Sequence, residues 1–258
     1  MIAEMKTILK RIVYFFEKAK KDHVSAYAAQ SAFFLMLSMI PIILLLLTLV
    51  QYTPITKADV MQAAYELFPT SVRATIVSII HEVYETKSST IPFTTFVVIW
   101  SAGRGTLAMT NGLNCVYDEE ETRTYIYLRV RAGIYTVLLL VAVLLCLVFL
   151  GFGNGFTVLH AAVSVGLLIT FAVMVYKFLP NHQCRWTEQI PGAAFTAFGW
   201  ILASYIFSVY IDVFKGFSDM YGSLTTIIII MLWLLFCMYI LLLGGEVNVL
   251  WKRRIDKK

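Results

Sequence analysis

Six long apolar stretches, separated by polar connections, dominate the chain. A bilayer-spanning helix needs about 20 mostly apolar residues. The stretches at roughly 24–50, 91–113, 131–152, 156–179, 190–211 and 222–250 each meet that requirement. The third and fourth are joined by GFGNG, which leaves room only for a tight turn. The first and last exceed the thickness of the hydrocarbon, which predicts tilt, a protruding end, or a bend near Pro41. Two further segments carry helical spacing without crossing. In residues 5–19, Met5, Ile8, Leu9, Ile12, Val13, Phe16 and Ala19 share a face with lysines opposite, the pattern of a helix lying in the bilayer interface. In the one long loop, 52–90, VMQAAYELF and SVRATIVSIIHEVY predict two short amphipathic helices that pack on the bundle or cap a cavity at its outer face.

Composition sharpens this picture. The chain has 258 residues, of which 59% are hydrophobic and 14% charged, with a mean hydropathy of +0.77. Soluble domains carry about 25% charged residues, and one core of this size cannot hide so much apolar surface. The expected fold is all-α: a polytopic membrane protein of six transmembrane helices, with an amphipathic N-terminal helix and short amphipathic helices in the first outer loop. It forms one domain over 1–258, divided into the helix at 1–22, the bundle at 24–250 and a basic tail at 251–258. The first 22 residues lack the short apolar run and small-residue cleavage site of a removable signal, so the first span is expected to be an uncleaved anchor.

Charge then orients the bundle. Sixteen Lys and Arg residues fall on the N-terminus, the second-to-third and fourth-to-fifth connections and the tail, against four (Lys57, Arg73, Lys87 and Lys215) on the other side. Cytoplasmic flanks carry the excess, so both termini are expected in the cytoplasm of an inner or plasma membrane protein.

Arg104 belongs to neither set. It lies within the second span between Gly103 and Gly105, followed by Asn111 and Asn114. An arginine in hydrocarbon costs a few kcal/mol on the lenient insertion scale and needs water, an anion or a partner. The sixth span offers a counter-charge, Glu246, preceded by Gly244 and Gly245 and followed by Asn248. Taken as equally deep, Arg104 and Glu246 are expected to face each other, with Asn111, Asn114 and Asn248 nearby and Gln30 of the first span as a neighbour. Two readings follow. The pair fixes helix packing, or the arginine leaves the glutamate to grip an anionic headgroup or solute with its planar fork.

Other chemistry is scarce. Cys115, Cys146, Cys184 and Cys237 show no ligand spacing and read as small buried hydrophobes. His23, His81, His160 and His182 are scattered. The sequence contains no phosphate-cradling loop, zinc-protease motif or nucleophile elbow. No cofactor, metal or nucleic-acid partner is therefore expected, and no enzyme. Membrane lipids, anionic ones included, are the expected partners. The sequence does not set the oligomeric state.

Four blocks carry a family resemblance. WSAGRGTLAMTNGLNCVYDEEETR, KFLPNHQCRWTEQIPGAAFTAFGW, FSDMYGSLTTIIIIMLWL and LLLGGEVN occur in that order. Together they resemble the YihY/BrkB family of integral membrane proteins. The resemblance implies six membrane helices and marks Arg104, Asn114, Tyr221 and Glu246 as motif positions, without a catalytic role for any of them. The family carries an old ribonuclease label and links to serum resistance and envelope lipid transport. From the residues, the expected function is a transporter-like protein handling lipid or another anionic amphiphile. The alternative is a non-transporting scaffold of the cell envelope, and a nuclease is the least favoured.

Overall fold

The computed structural model describes residues 13–50, 56–58, 60–62, 77–78, 80–81, 91–135, 157–182, 184–213 and 223–255. All regular structure among the described residues is helical. Helix α1 covers 13–21 and turns at His23, whose φ of 51° is left-handed, into α2, Val24–Val50. Helix α3 is Ile91–Val116 and α4 covers 125–135. Helix α5 is Thr157–Phe178; a 3-10 turn at Trp186–Gln189 leads directly into α6, Ile190–Val213; and α7 is Ser223–Ile255.

The long helices follow the apolar runs because runs of that length satisfy every backbone group internally. Five of the six expected spans have a helix within a few residues of the anticipated bounds. The third begins as α4, and its remainder, from 136, lies outside the described residues. Two segments, Trp186–Tyr210 and Ile227–Arg253, are long and apolar enough over their described residues to cross a bilayer. In the 52–90 loop, 57–58, 60–62, 77–78 and 80–81 are helical, and Lys57 Nζ meets His81 Nδ1 at 3.0 Å.

Many small side chains lie between the helices, beside a few large ones such as Tyr176, Leu113, Leu241 and Leu242. Ala28, Ser31, Ala32, Ala172, Ala193, Thr196 and Ala197 are buried. Phe198, Tyr205, Ile206, Ile227 and Phe236 are exposed. So many large apolar side chains facing outward is unusual for a soluble bundle, and helices in lipid approach through small residues. Helix α2 lies along α3, α5 along α6, and α7 runs centrally against α2, α3 and α6. The tightest approach is that of α6 to α7. A Cβ on Gly244 would collide with the Tyr176 and Thr196 hydroxyls, and one on Gly192 with the Gly244 carbonyl.

Helix α1 departs from expectation. Lys18, anticipated on the polar face, is buried, while the apolar Val13 and Phe16 are exposed. The physical reason lies at the end of α7, where a buried carboxylate draws the ammonium inward.

Candidate functional site

The polar side chains of the bundle gather where α1, α3, α5, α6 and α7 end together. Glu246 has no accessible surface, and its Oε2 lies 2.8 Å from Lys18 Nζ. The same nitrogen donates to the Val116 carbonyl at 2.9 Å and to Asp22 Oδ2. The ammonium thus donates two hydrogen bonds and makes an ion pair with Glu246, drawing together α1, α3 and α7. Val116 is the last residue of α3, whose final carbonyls lack intrahelical partners, so the ammonium also caps that helix. Burial pulls the Lys18 pKa down, but hydrogen bonds and charge from Asp22 and Glu246 outweigh it and leave the pKa raised.

Beside this ion cluster lies an amide network. Asn248 Oδ1 accepts from Gly192 N at 2.7 Å, and its Nδ2 donates to Gln189 Oε1 at 2.9 Å and to the Tyr117 hydroxyl at 3.3 Å. Tyr117 donates to Gln189 Oε1 at 2.8 Å. Burial drives the Tyr117 phenol well above its usual range, so it stays a neutral donor.

A third network holds the connection after α3. Asp118, with φ of 54°, occupies the left-handed position that ends the helix, where Asp118 N bonds Cys115 O at 3.2 Å and Glu119 N bonds Asn114 O at 2.9 Å. Asn114 Nδ2 donates to Glu121 Oε2 at 2.7 Å, and Asn114 Oδ1 accepts from Asn181 N at 2.7 Å. Arg123 grips Glu121 through Nε at 2.6 Å and Nη2 at 2.7 Å, and reaches the Leu179 carbonyl at 3.0 Å. The Arg123 hydrogen bonds hold the Glu121 carboxyl below its ordinary range. His182 stacks on Tyr117 with ring centroids 5.2 Å apart, and its nitrogens meet Glu119 Oε1 at 2.7 Å and Lys252 Nζ at 3.3 Å. A cleft of about 160 Å³ opens here, lined by Tyr117, His182, Gln189, Asn248, Lys252 and Arg253 among others.

Of the anticipated residues, Glu246, Asn248 and Asn114 come together at this end. Asn111 is half-buried on α3, one turn before Asn114, and Gln30 is exposed on α2. Tyr221 lies outside the described residues. The expected pairing of Arg104 with Glu246 does not occur. Glu246 sits level with Val116, to which it is linked through Lys18. Arg104 lies twelve residues earlier on α3, about 18 Å along the axis at 1.5 Å per residue. Arg104 is exposed, its guanidinium 5.6 Å from the centroid of the Phe34 ring, and no carboxylate among the described residues pairs with it. It continues an exposed stripe, Phe96–Trp100–Arg104, at helical spacing. Phe96 stacks on Trp100 at 6.0 Å, and Arg129 of α4 covers the Trp100 ring at 4.5 Å.

The sequence reading missed Lys18, Asp22, Tyr117, Gln189 and His182 as members of the polar end. The Lys18–Asp22 spacing of four was the available signal, but a basic amphipathic helix disguises it. Among the described residues, no group of three or more His, Cys, Asp or Glu side chains is placed to hold a metal.

The family model described as Virulence factor BrkB matches residues 15–258. A Bacillus subtilis protein named as a putative ribonuclease-like protein, YfkH, is 31% identical over 247 residues, covering 88% of this chain and 90% of its own length. UPF0761 membrane proteins match shorter segments. That of Idiomarina loihiensis is 33% identical over 31% of this chain and 28% of its own length, and that of Aeromonas salmonicida is 32% identical over 37% and 32%. No solved structure matches.

Proposed function

The chain belongs to the virulence factor BrkB family of membrane proteins, and from that premise we propose that it is a transporter-like protein handling a lipid or another anionic amphiphile, with Arg104 as the group that recognises the anion. The observation that carries this reading is the exposure of Arg104 on an apolar helix face with no carboxylate among the described residues to neutralise it. Its anticipated counter-ion, Glu246, is occupied by Lys18. A guanidinium about 18 Å from the polar end of its helix lies at hydrocarbon depth. No carboxylate among the described residues compensates its charge, and in this reading an anionic ligand does; phosphate suits its planar fork. Phe96 and Trp100 offer an acyl chain an apolar track above it. In this reading the protein is a non-enzyme of the inner or plasma membrane, with both termini in the cytoplasm, a placement its basic flanks support.

Purified protein in nanodiscs tests this by native mass spectrometry of retained lipid. Arg104→Gln is expected to lose anionic phospholipid at least tenfold relative to the native chain, with Arg104→Lys intermediate and phosphatidylcholine unaffected. Equal retention by Arg104→Gln overturns the reading. That outcome favours the second one, a membrane scaffold, which draws support from the small cleft at the polar end, below the usual 300–1,000 Å³ of a ligand pocket.

A further inference from the structure

The cluster of Lys18, Asp22 and Glu246 holds one more acid than base. The three side chains are 8%, 6% and 0% exposed. Both carboxyl groups meet the same ammonium nitrogen, which brings the two acids side by side. The ammonium keeps its charge, because the two acids outweigh its burial. Neither Glu246 oxygen has a hydrogen-bond partner among the described residues although the residue is fully buried; Oε2 meets Lys18 as an ion pair. The other titratable groups close enough to feel the cluster are the Cys115 thiol of α3 and the Tyr117 phenol just beyond it. Neither supplies positive charge. The remaining contact is the Val116 carbonyl, an acceptor. Two carboxylates against one ammonium would leave a net negative charge in a site closed to water, which a low-dielectric interior does not tolerate.

We propose that the Asp22–Glu246 carboxyl pair is a proton-binding site, holding one proton beside the Lys18 ammonium so that the cluster is neutral while α1 is docked. The proton comes from and returns to water as hydronium, and no covalent bond of the chain changes. Glu246 is fixed within α7, whereas Lys18 and Asp22 belong to α1 and its turn. Loss of the proton leaves the two acids repelling each other across one cation, and α1 is the element that yields. Proton occupancy and the docking of α1 are therefore linked. This inference stands apart from the role of Arg104.

The test is infrared spectroscopy of the full chain in nanodiscs at neutral pH, reading the carbonyl stretch of a protonated carboxyl. The native chain is expected to show one such band. Glu246→Gln and Asp22→Asn each restore one acid to one ammonium, so either substitution alone abolishes the band. Lys18→Met, which removes the cation, retains it. Hydrogen exchange of α1 should accelerate at the alkaline pH where the native band disappears, and should be unchanged there in Asp22→Asn. The absence of a band in the native chain, or its survival in both carboxyl variants, overturns the proposal. Asp22→Asn, made at the edge of the bundle, keeps the test decisive should Glu246→Gln fail to fold.

Discussion

Glu121 shows how a single side chain holds this end of the bundle. It takes two hydrogen bonds from the Arg123 guanidinium and one from Asn114, joining a loop to α3 and, through Asn181, to the end of α5. Its folded pKa lies below the ordinary 4.5 because Arg123 favours the carboxylate. The stability it contributes is therefore complete above 4.5 and is lost as the pH falls through the lowered value. Thermal unfolding of the detergent-solubilised chain, followed from about pH 6 down to about pH 3, should show a midpoint that drops more steeply in the native chain than in Glu121→Gln. Near neutral pH the substitution itself should cost roughly 1–2 kcal/mol. Legibility at this scale followed polarity contrast. Asn114, Arg104, Glu246 and Asn248 stand out because each interrupts an apolar run. Lys18 and Asp22 do not, because a charge in a basic amphipathic segment resembles its solvated neighbours. Only the turn at His23 swings that segment back over α7.

At the scale of the element, the crossing of α6 and α7 depends on two glycines that leave the backbones in contact. Gly244→Ala drives a methyl into the Thr196 and Tyr176 hydroxyls, of which the latter also donates to the Leu241 carbonyl at 2.6 Å. The rigid partners on both sides give no room for relaxation, so a loss of at least about 2–3 kcal/mol is expected. Gly166→Ala on α5 meets nothing within 4 Å and should be neutral or stabilising by up to about 1 kcal/mol. Comparing the two by thermal shift in detergent separates a packing cost from a general intolerance of alanine, and equal midpoints would refute the crossing. Helix bounds were the most legible feature of the sequence, because the apolar run length and the flanking charge fix where a helix enters and leaves lipid. Relative depth was not. The assumption that Arg104 and Glu246 lie level failed because α3 continues to Val116, and a hydropathy pattern does not report how far one helix slides along another.

For the whole molecule, the first and last described helices meet at one end of the bundle, through contacts from Tyr14 to Arg253 and from Lys18 to Glu246. The positive excess at that end is the basis on which we propose that it faces the cytoplasm. Small tags fused to each end should be cleaved together by protease added to inverted vesicles and be protected together in intact cells; opposite behaviour of the two tags would break the arrangement. The apolar outer surface was legible as composition, but the partners across the bundle were not, since no periodicity relates a residue near the start of the chain to one near its end. That separation has a consequence for biogenesis. Lys18 leaves the ribosome long before Glu246 is made, so the lysine and its nearby aspartate must wait at the membrane surface while the intervening helices insert. The clasp closes only once α7 is in place, so the docking of α1 depends on a helix made more than 200 residues later.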